Sequence, residues 1–399
     1  MSQVRPYGVE ALPRPPVDIP GVPVACRNVL VERDRCEWTV TDGGDPAELI
    51  ETFLAGHGID LRDLARPARH DPYGACGAAV FVSAAAGAVM AGGPIGAPTP
   101  VPALPDVAVV VYAHDPHLAA AARTPAPPAP WRLGDWRESW TPRQHADAVQ
   151  AVRAAIGRGD VYQVNVVGHA AAAYRGDAGP VLSRLAALPG ARYGGTLRGD
   201  GWAVGCASPE TLIELRDARL LTRPIKGTRP ATAAGRRDLL ASAKERAEHI
   251  MIVDLERNDL ARVARTGSVR VDELFAVRRW CDLWQAESTV SAQPADGLGL
   301  AGLLRALCPG GSVTGAPKLA ALAHIAALEP VGRGAGMGAL GWVAPGHVDL
   351  GLTIRTAAAD ADRLHVWAGG GITVDSDPAA EVAEAAAKVA PVRALLAAG

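Results

Sequence analysis

The chain of 399 residues has little net charge: 40 Lys and Arg stand against 42 Asp and Glu, for a net charge of -2. No basic tract stands out, which argues against nucleic acid as the main partner, since a polyphosphate needs concentrated positive charge. No run of eighteen apolar residues occurs, and Met1-Ser-Gln-Val-Arg-Pro-Tyr lacks the apolar core of a signal peptide. Neither a membrane span nor a secretory leader is expected. Six cysteines (Cys26, Cys36, Cys76, Cys206, Cys281, Cys308) are scattered without a C-x-x-C pair. That excludes the common zinc spacing and suits a reduced compartment better than a disulfide framework. The expectation is a cytoplasmic protein.

What the chain does have is an ordinary globular composition, 49% apolar and 21% charged. Its length allows two or three domains, or one large mixed-sheet unit. The proline-rich stretches Pro94 to Pro105 and Thr124 to Pro130 read as loops, because proline fixes φ and donates no hydrogen bond. Between them Val107 to Tyr112 is a buried-strand candidate. Thr141 and Pro142 have the residue types of a helix N-cap and first turn, predicting a helix to about Ile156, before Gly157 and Gly159. A soft boundary near residue 135 separates an N-terminal segment (1–135) from a C-terminal region (136–399). Strands are expected near Tyr162–Val167, Trp202–Gly205, Leu212–Leu221, Gly338–Val343, Val348–Thr356 and Leu364–Ala368. Their hairpin-like neighbours predict antiparallel pairing and an α+β fold rather than a doubly wound sheet.

The most informative residue is Lys226 in Pro224-Ile-Lys-Gly-Thr-Arg229. Most lysines are solvated. This one follows a strand-like run and precedes Gly227 and Thr228, a position where a strand ends against a cavity wall and an amine can attack carbon. Downstream, Glu245 and Glu248 lie three apart on a helix that is apolar almost all round, so the pair needs a counter-charge. A second helix, opened by Asp377 and Pro378, carries Glu381, Glu384 and Lys388 on one face. Solvated acidic faces are the plain alternative for either helix alone. Two such faces, with oxygen ligands and no His or Cys pair, point to Mg²⁺.

Two glycine-rich segments, Gly310-Gly-Ser-Val-Thr-Gly-Ala-Pro-Lys318 and Ala368-Gly-Gly-Gly-Ile372, match no nucleotide motif. Both can present backbone N–H groups to a carboxylate. Arg355, at the end of an alternating strand, is either a bidentate carboxylate clamp or a rim ion pair. Glu210 ends a loop leading into a strand, where burial would make its carboxyl a general acid.

These segments in this order resemble the chorismate-utilising enzymes: Gly159-Asp-Val-Tyr-Gln-Val-Asn165, Ala207-Ser-Pro-Glu210, Pro224 to Arg229, Glu248-His through Arg257-Asn-Asp-Leu260, Gly311 to Lys318, Ile354-Arg-Thr356 and the Asp375-Ser-Asp-Pro378 helix. The resemblance is strong from about residue 140 onward. Before 135 it is loose, mainly in Tyr73-Gly-Ala-Cys-Gly77 and Leu104-Pro-Asp106. It implies a large sandwich of two antiparallel β-sheets flanked by helices, with chorismate as substrate. Glu248 and Glu384 would hold Mg²⁺ directly and Glu245 and Glu381 through water, the metal holding the ring carboxylate. Gly227, Thr228, Thr314, Gly315, Arg355, Gly369, Gly371, Lys388 and Gln163 would surround the substrate.

Relatives that make anthranilate or isochorismate usually carry alanine where this chain has Lys226, and the aminodeoxychorismate-forming branch carries lysine. The resemblance thus implies attack of the neutral amine on ring C2 with loss of the C4 hydroxyl, assisted by Glu210. Ammonia then attacks C4, releases the lysine and leaves the enolpyruvyl group in place. The product would feed 4-aminobenzoate and folate synthesis. Gln163 stands where water-using relatives have an activating lysine, which weighs against isochorismate formation. Gly74-Ala-Cys-Gly77 lacks glutaminase nucleophile spacing, so ammonia is expected from a separate glutamine amidotransferase subunit. Anthranilate formation and a non-catalytic chorismate-binding homologue are the rival readings. Two departures stand out: Gln285 where the family often has His, and Gly336 where a tyrosine is common.

Overall fold

The computed structural model describes Val22 and residues 30–66, 75–114 and 131–398. The second proline-rich stretch, Cys26 and Tyr73-Gly74 lie outside the described residues. In chain order the first strands are β1 (Leu30–Trp38), β2 (Gly77–Val82), β3 (Val107–His114), β4 (Arg132–Leu133), β5 (Arg137–Glu138) and β6 (Gln163–Arg175). There follow β7 (Tyr193–Gly199), β8 (Trp202–Ser208), β9 (Thr211–Arg216), β10 (Arg219–Arg223), β11 (Ile225–Pro230) and β12 (Arg270–Trp280). The last are β13 (Leu283–Ala292), β14 (Gly315–Ala316), β15 (Ala339–Ala344), β16 (His347–Leu352), β17 (Thr356–Ala359) and β18 (Arg363–Ile372).

They form two sheets, antiparallel throughout. The 10-stranded sheet runs β1-β3-β2-β15-β16-β9-β10-β13-β11, with β12 also on β13. The 8-stranded sheet runs β14-β6-β18-β17-β8-β7, and β4 and β5 also pair with β6. Helices α1 (Pro46–Gly56), α2 (Ala84–Ala91), α3 (Pro142–Arg158), α4 (Ala178–Ala186), α5 (Ala233–Ala241), α6 (Ala243–Ala261), α7 (Leu300–Leu307), α8 (Lys318–Leu328) and α9 (Pro378–Ala397) flank them. The largest core cluster draws on both sheets, with Val109, Leu212, Leu350, Val204 and Trp367 all buried. The α+β sandwich expected from the sequence is the observed fold. Among the described residues no helix is long and apolar enough to cross a membrane.

The segment before residue 135 enters the sandwich as strands. β2 pairs with β15, so β1 to β3 extend the first sheet edge to edge with strands from near the C-terminus. Asp106 ties this region together: its carboxylate accepts the Ser83 hydroxyl at 2.6 Å and the Val40 N–H at 3.0 Å. The α3 start is as expected, since Thr141 Oγ1 accepts the Gln144 N–H while the Gln144 side chain returns to the Thr141 N–H. The helix runs through Gly157 to Arg158.

Three expectations need correction. The run Leu212–Leu221 is a hairpin and not one strand: β9 ends at Arg216 and β10 begins at Arg219, with Asp217 and Ala218 at φ 52° in the turn. The run Val348–Thr356 is not one strand: β16 ends at Leu352 in the first sheet, and β17 begins at Thr356 in the second. Arg355, at φ 53°, makes the crossing. Helix α6 is not buried all round either. Ile250 is 49% exposed, while His249, Ile252, Val253 and Glu256 face inward.

Candidate active site

A cavity of about 380 Å³ is lined by β11, α6, α9, the first residues of β6, the end of β18 and the Ser312-Val313 turn. Lys226 reaches it because of an irregularity in β11. The register against β13 shifts between Lys226, opposite Ala286, and Thr228, opposite Gln285. Gly227 at φ 70° absorbs the extra residue. A regular strand would send alternate side chains to opposite faces. Here Lys226, Gly227 and Thr228 all line the cavity.

The Lys226 amine donates to the Ser312 carbonyl at 3.3 Å, and the Ser312 hydroxyl donates to Glu210 Oε1 at 2.6 Å. One residue thus joins the amine to the carboxyl. Burial pulls the Lys226 amine below its ordinary pKa, with Lys388 adding to the fall; Glu210, Glu248 and Glu384 oppose it without reversing it. Burial pushes Glu210 up, against Lys226, the Ser312 bond, the Ile225 N–H and Arg355. Both shifts favour the uncharged forms. A neutral amine beside a protonated carboxyl is the state in which one attacks carbon and the other protonates a leaving hydroxyl.

The four carboxylates named from the sequence meet across this cavity, Glu245 and Glu248 from α6 and Glu381 and Glu384 from α9. Ser242 caps α6 through the Glu245 N–H, and Asp377 caps α9 through the Ala380 N–H, which fixes both helix starts. Each carboxylate has a local partner: Arg229 for Glu245 at 2.9 Å, Lys244 for Glu248 at 3.7 Å, Ser376 for Glu381 at 2.6 Å and Lys388 for Glu384 at 2.7 Å. Among the described residues no three His, Cys, Asp or Glu side chains converge closely enough to hold an ion as they stand.

Even so, the donors fit a hard cation. Burial raises Glu248, and Lys244 only partly offsets it while Glu245 and Glu381 repel; burial raises Glu381, with Glu384 repelling. Lys388 holds Glu384 low. Glycines leave room beside the oxygens, since a Cβ on Gly227 would lie 3.0 Å from Glu245 Oε2 and one on Gly370 2.9 Å from Glu381 Oε2.

Arg355 is buried against Trp280, its guanidinium carbon 3.4 Å from the ring centroid, and its Nη1 has no partner. Desolvation pulls its pKa down to about 10, so it stays charged. An unpaired buried donor on a residue that lines the cavity suits a ligand carboxylate better than a rim ion pair does. The β18 edge supplies further donors. Gly369 offers its carbonyl to Lys388 at 3.0 Å, and a strand residue's N–H and C=O point to the same side. Opposite Gly371, Asn165 turns its own N–H away to Thr314. The Gly369 and Gly371 N–H groups therefore face away from β6. Gln163 also lines the cavity.

Thr314 and Gly315 do not line it, against expectation. The Thr314 hydroxyl is spent on the Gly310 carbonyl at 2.8 Å, and Gly315 pairs with Val164 in β14. Ser312 and Val313, immediately before them in the chain, take the place expected of them. Lys388 faces Glu384 and the Gly369 carbonyl, so its ammonium is already engaged. Sequence reasoning missed Ser312, Trp367 and Asn165 as lining residues. Asn165 was within reach, because it lies two residues from Gln163 on the same strand face. Gly336 has a structural reason: a Cβ there would come within 2.8 Å of Trp367, which occupies that space. Gln285, buried opposite Thr228, lines the cavity.

Behind Glu210 lies a buried acid the sequence reading passed over. Burial first, then Asp259, pushes Glu256 to about 8, with Lys318 and Thr222 opposing and Glu210 adding to the rise. Lys318 pairs with Asp259 at 2.8 Å. A carboxyl whose folded pKa is raised binds its proton more tightly when folded, so stability is full below about pH 4.5 and falls as pH rises toward 8. Glu256→Gln should remove that fall, on the order of a few kcal/mol. Urea unfolding at pH 6 and pH 9 checks it: the variant should lose less stability between the two than the parent.

The family model described as "chorismate binding enzyme" matches residues 105–394. The aminodeoxychorismate synthase component 1 of Klebsiella aerogenes is 42% identical over 261 residues, 64% of this chain and 58% of that protein. The anthranilate synthase component 1 of Streptomyces coelicolor is 39% identical over 267 residues, 65% of this chain and 52% of that one. The chain thus spans less than two thirds of these relatives' length. The crystal structure of anthranilate synthase component I from Streptococcus pneumoniae superposes with a TM-score of 0.75 at 22% identity, covering 98% of this chain and 95% of that one.

Proposed function

Because the chain belongs to the chorismate binding enzyme family, we propose that it aminates chorismate at C4 to 4-amino-4-deoxychorismate, through a transient bond between Lys226 and ring C2. The observation that carries this reading is the Lys226 amine on the cavity wall, lowered in pKa and linked through Ser312 to a carboxyl raised in pKa.

In the first half, the neutral Lys226 amine forms a bond to C2, the two conjugated ring double bonds shift along the ring, and the C4–O bond breaks. Glu210 gives its proton to the leaving hydroxyl, which departs as water. The carboxylate then takes the surplus proton from the lysine nitrogen. In the second half ammonia bonds to C4, the two double bonds shift back, and the C2–N bond breaks with its electron pair returning to Lys226. Glu210 passes a proton from the new ammonium to the leaving amine, so both groups end as they began. Arg355 and the N–H groups of Gly369 and Gly371 would hold the substrate's carboxylates. Thr228 and Gln163 shape the wall.

Glu248 and Glu384, with Glu245 and Glu381 behind them, would hold Mg²⁺; when bound it supplies positive charge for the ring carboxylate. Ammonia would come from a glutamine amidotransferase partner in the cytoplasm, and the product would serve 4-aminobenzoate and folate synthesis.

Anthranilate formation is the second reading, favoured by the 39% identity to the Streptomyces coelicolor protein. Incubation with chorismate, Mg²⁺ and an ammonium salt separates the two. The expected product keeps its enolpyruvyl group and releases no pyruvate. Fluorescent anthranilate with stoichiometric pyruvate would overturn the proposal.

A further inference from the structure

A second cavity, of about 150 Å³, lies between the start of α3, the middle of β6 and α9. Ala368 and Val389 line both this cavity and the active site, so the two share part of one wall. Its surface is mostly aliphatic, with Val366, Val382, Ala385 and Ala386 contributing. An apolar cavity of about this volume takes a single benzene ring. The polar groups on the wall are not all paired. Trp140 is 8% exposed, and its Nε1 lies over Gly168, where a Cβ would be 2.9 Å from it. His145, 6% exposed, stacks on Trp140 with ring centroids 4.6 Å apart. No group among the described residues hydrogen-bonds either ring, and the ring nitrogens are not sealed from a water-sized molecule. Burial alone acts on the His145 pKa and lowers it, so the imidazole stays neutral and keeps an N–H to give. His169 on the same wall has no such capacity left: Nδ1 meets Ser139 at 2.5 Å and Nε2 meets His365 at 3.1 Å. Arg393 brings positive charge. It meets Glu138 through one nitrogen at 2.7 Å, and a guanidinium fork has further donors.

We propose that this cavity binds a small aromatic carboxylate, about the size of benzoate, with its ring against the aliphatic wall and His145 and its carboxylate on Trp140 Nε1–H and Arg393. A purely apolar ligand would leave buried donors unpaired, which costs binding. Phosphate or acetate would leave the aliphatic wall wet and gain nothing from it. A cation would be repelled by Arg393. Glu138 offsets only part of that charge, because its side chain is 47% exposed and water screens it. Chorismate, a ring bearing an enolpyruvyl arm, exceeds the volume. The site is therefore distinct from the one built around Lys226, and it borders the helix whose neighbouring face carries Glu381 and Glu384.

Calorimetric titration of the chain with benzoate is expected to show a saturable site. Benzamide, the same ring without the charge, and acetate, the charge without the ring, should each bind at least about tenfold more weakly. Trp140→Phe keeps an aromatic side chain and removes the N–H, and should weaken benzoate by about tenfold. Ala385→Leu fills the cavity and should abolish binding. Arg355→Gln, in the active-site cavity, should leave the benzoate affinity at the parent level. Absence of saturable binding overturns the proposal, and so does benzamide or acetate binding as tightly as benzoate. Binding that survives Ala385→Leu, or that is lost in Arg355→Gln, overturns it too, since the ring would then sit in the active site. Should Ala385→Leu fail to fold, an unchanged affinity in Trp140→Phe is enough to overturn it.

Discussion

Lys226→Ala is expected to lower amination of chorismate by about a thousandfold or more, because nucleophile removal leaves only binding and electrostatic assistance. The fold should survive, since the amine makes one bond, to the Ser312 carbonyl at 3.3 Å, and burial already disfavours its charge. A parent-like melting temperature in the variant tells loss of the nucleophile from general damage. Steady-state assays with ammonium salt measure the rate, and unchanged turnover would show that the amine is not the nucleophile.

Glu248→Ala and Glu384→Ala are each expected to cost at least about a hundredfold in activity and to abolish the Mg²⁺ response. In the parent, Mg²⁺ should raise the melting temperature by relieving repulsion among Glu245, Glu248, Glu381 and Glu384, a linkage effect that needs no turnover. The variants should show little rise. Asp254→Ala is the control on the same helix: its side chain is 73% exposed and pairs with Arg257, so the Mg²⁺ response should persist. A parent-like metal response in either glutamate variant would move the metal elsewhere.

The parts of the site that were legible in the sequence are those set by local spacing. Glu245 and Glu248, and Glu381 and Glu384, sit three apart behind recognisable caps, so their shared faces followed from helical period alone. Lys226 and Glu210 were legible as residues but not as a pair. Their link runs through Ser312, about ninety residues further on, and only packing decides that burial outweighs the carboxylates at Lys226. Thr314 and Gly315 were misplaced because a glycine-rich segment does not declare which N–H groups its turn will expose. Arg355 was identified, yet its strand was read as continuous, since alternation carries no mark of a positive φ or a change of sheet. An apolar run cannot show which of its faces a partner covers, which is why Ile250 is exposed on a helix that its sequence makes apolar almost all round. The strands of the C-terminal region followed from alternation and turn residues, whereas the edge-to-edge joining of β2 and β15 has no local signature.

The most direct test of the central claim is mass spectrometry of the chain incubated with chorismate and Mg²⁺ in the absence of ammonia. The account predicts a peptide containing Lys226 heavier by chorismate less one water, discharged when ammonium is added. Formation of aminated product by a chain that never carries that adduct would contradict it.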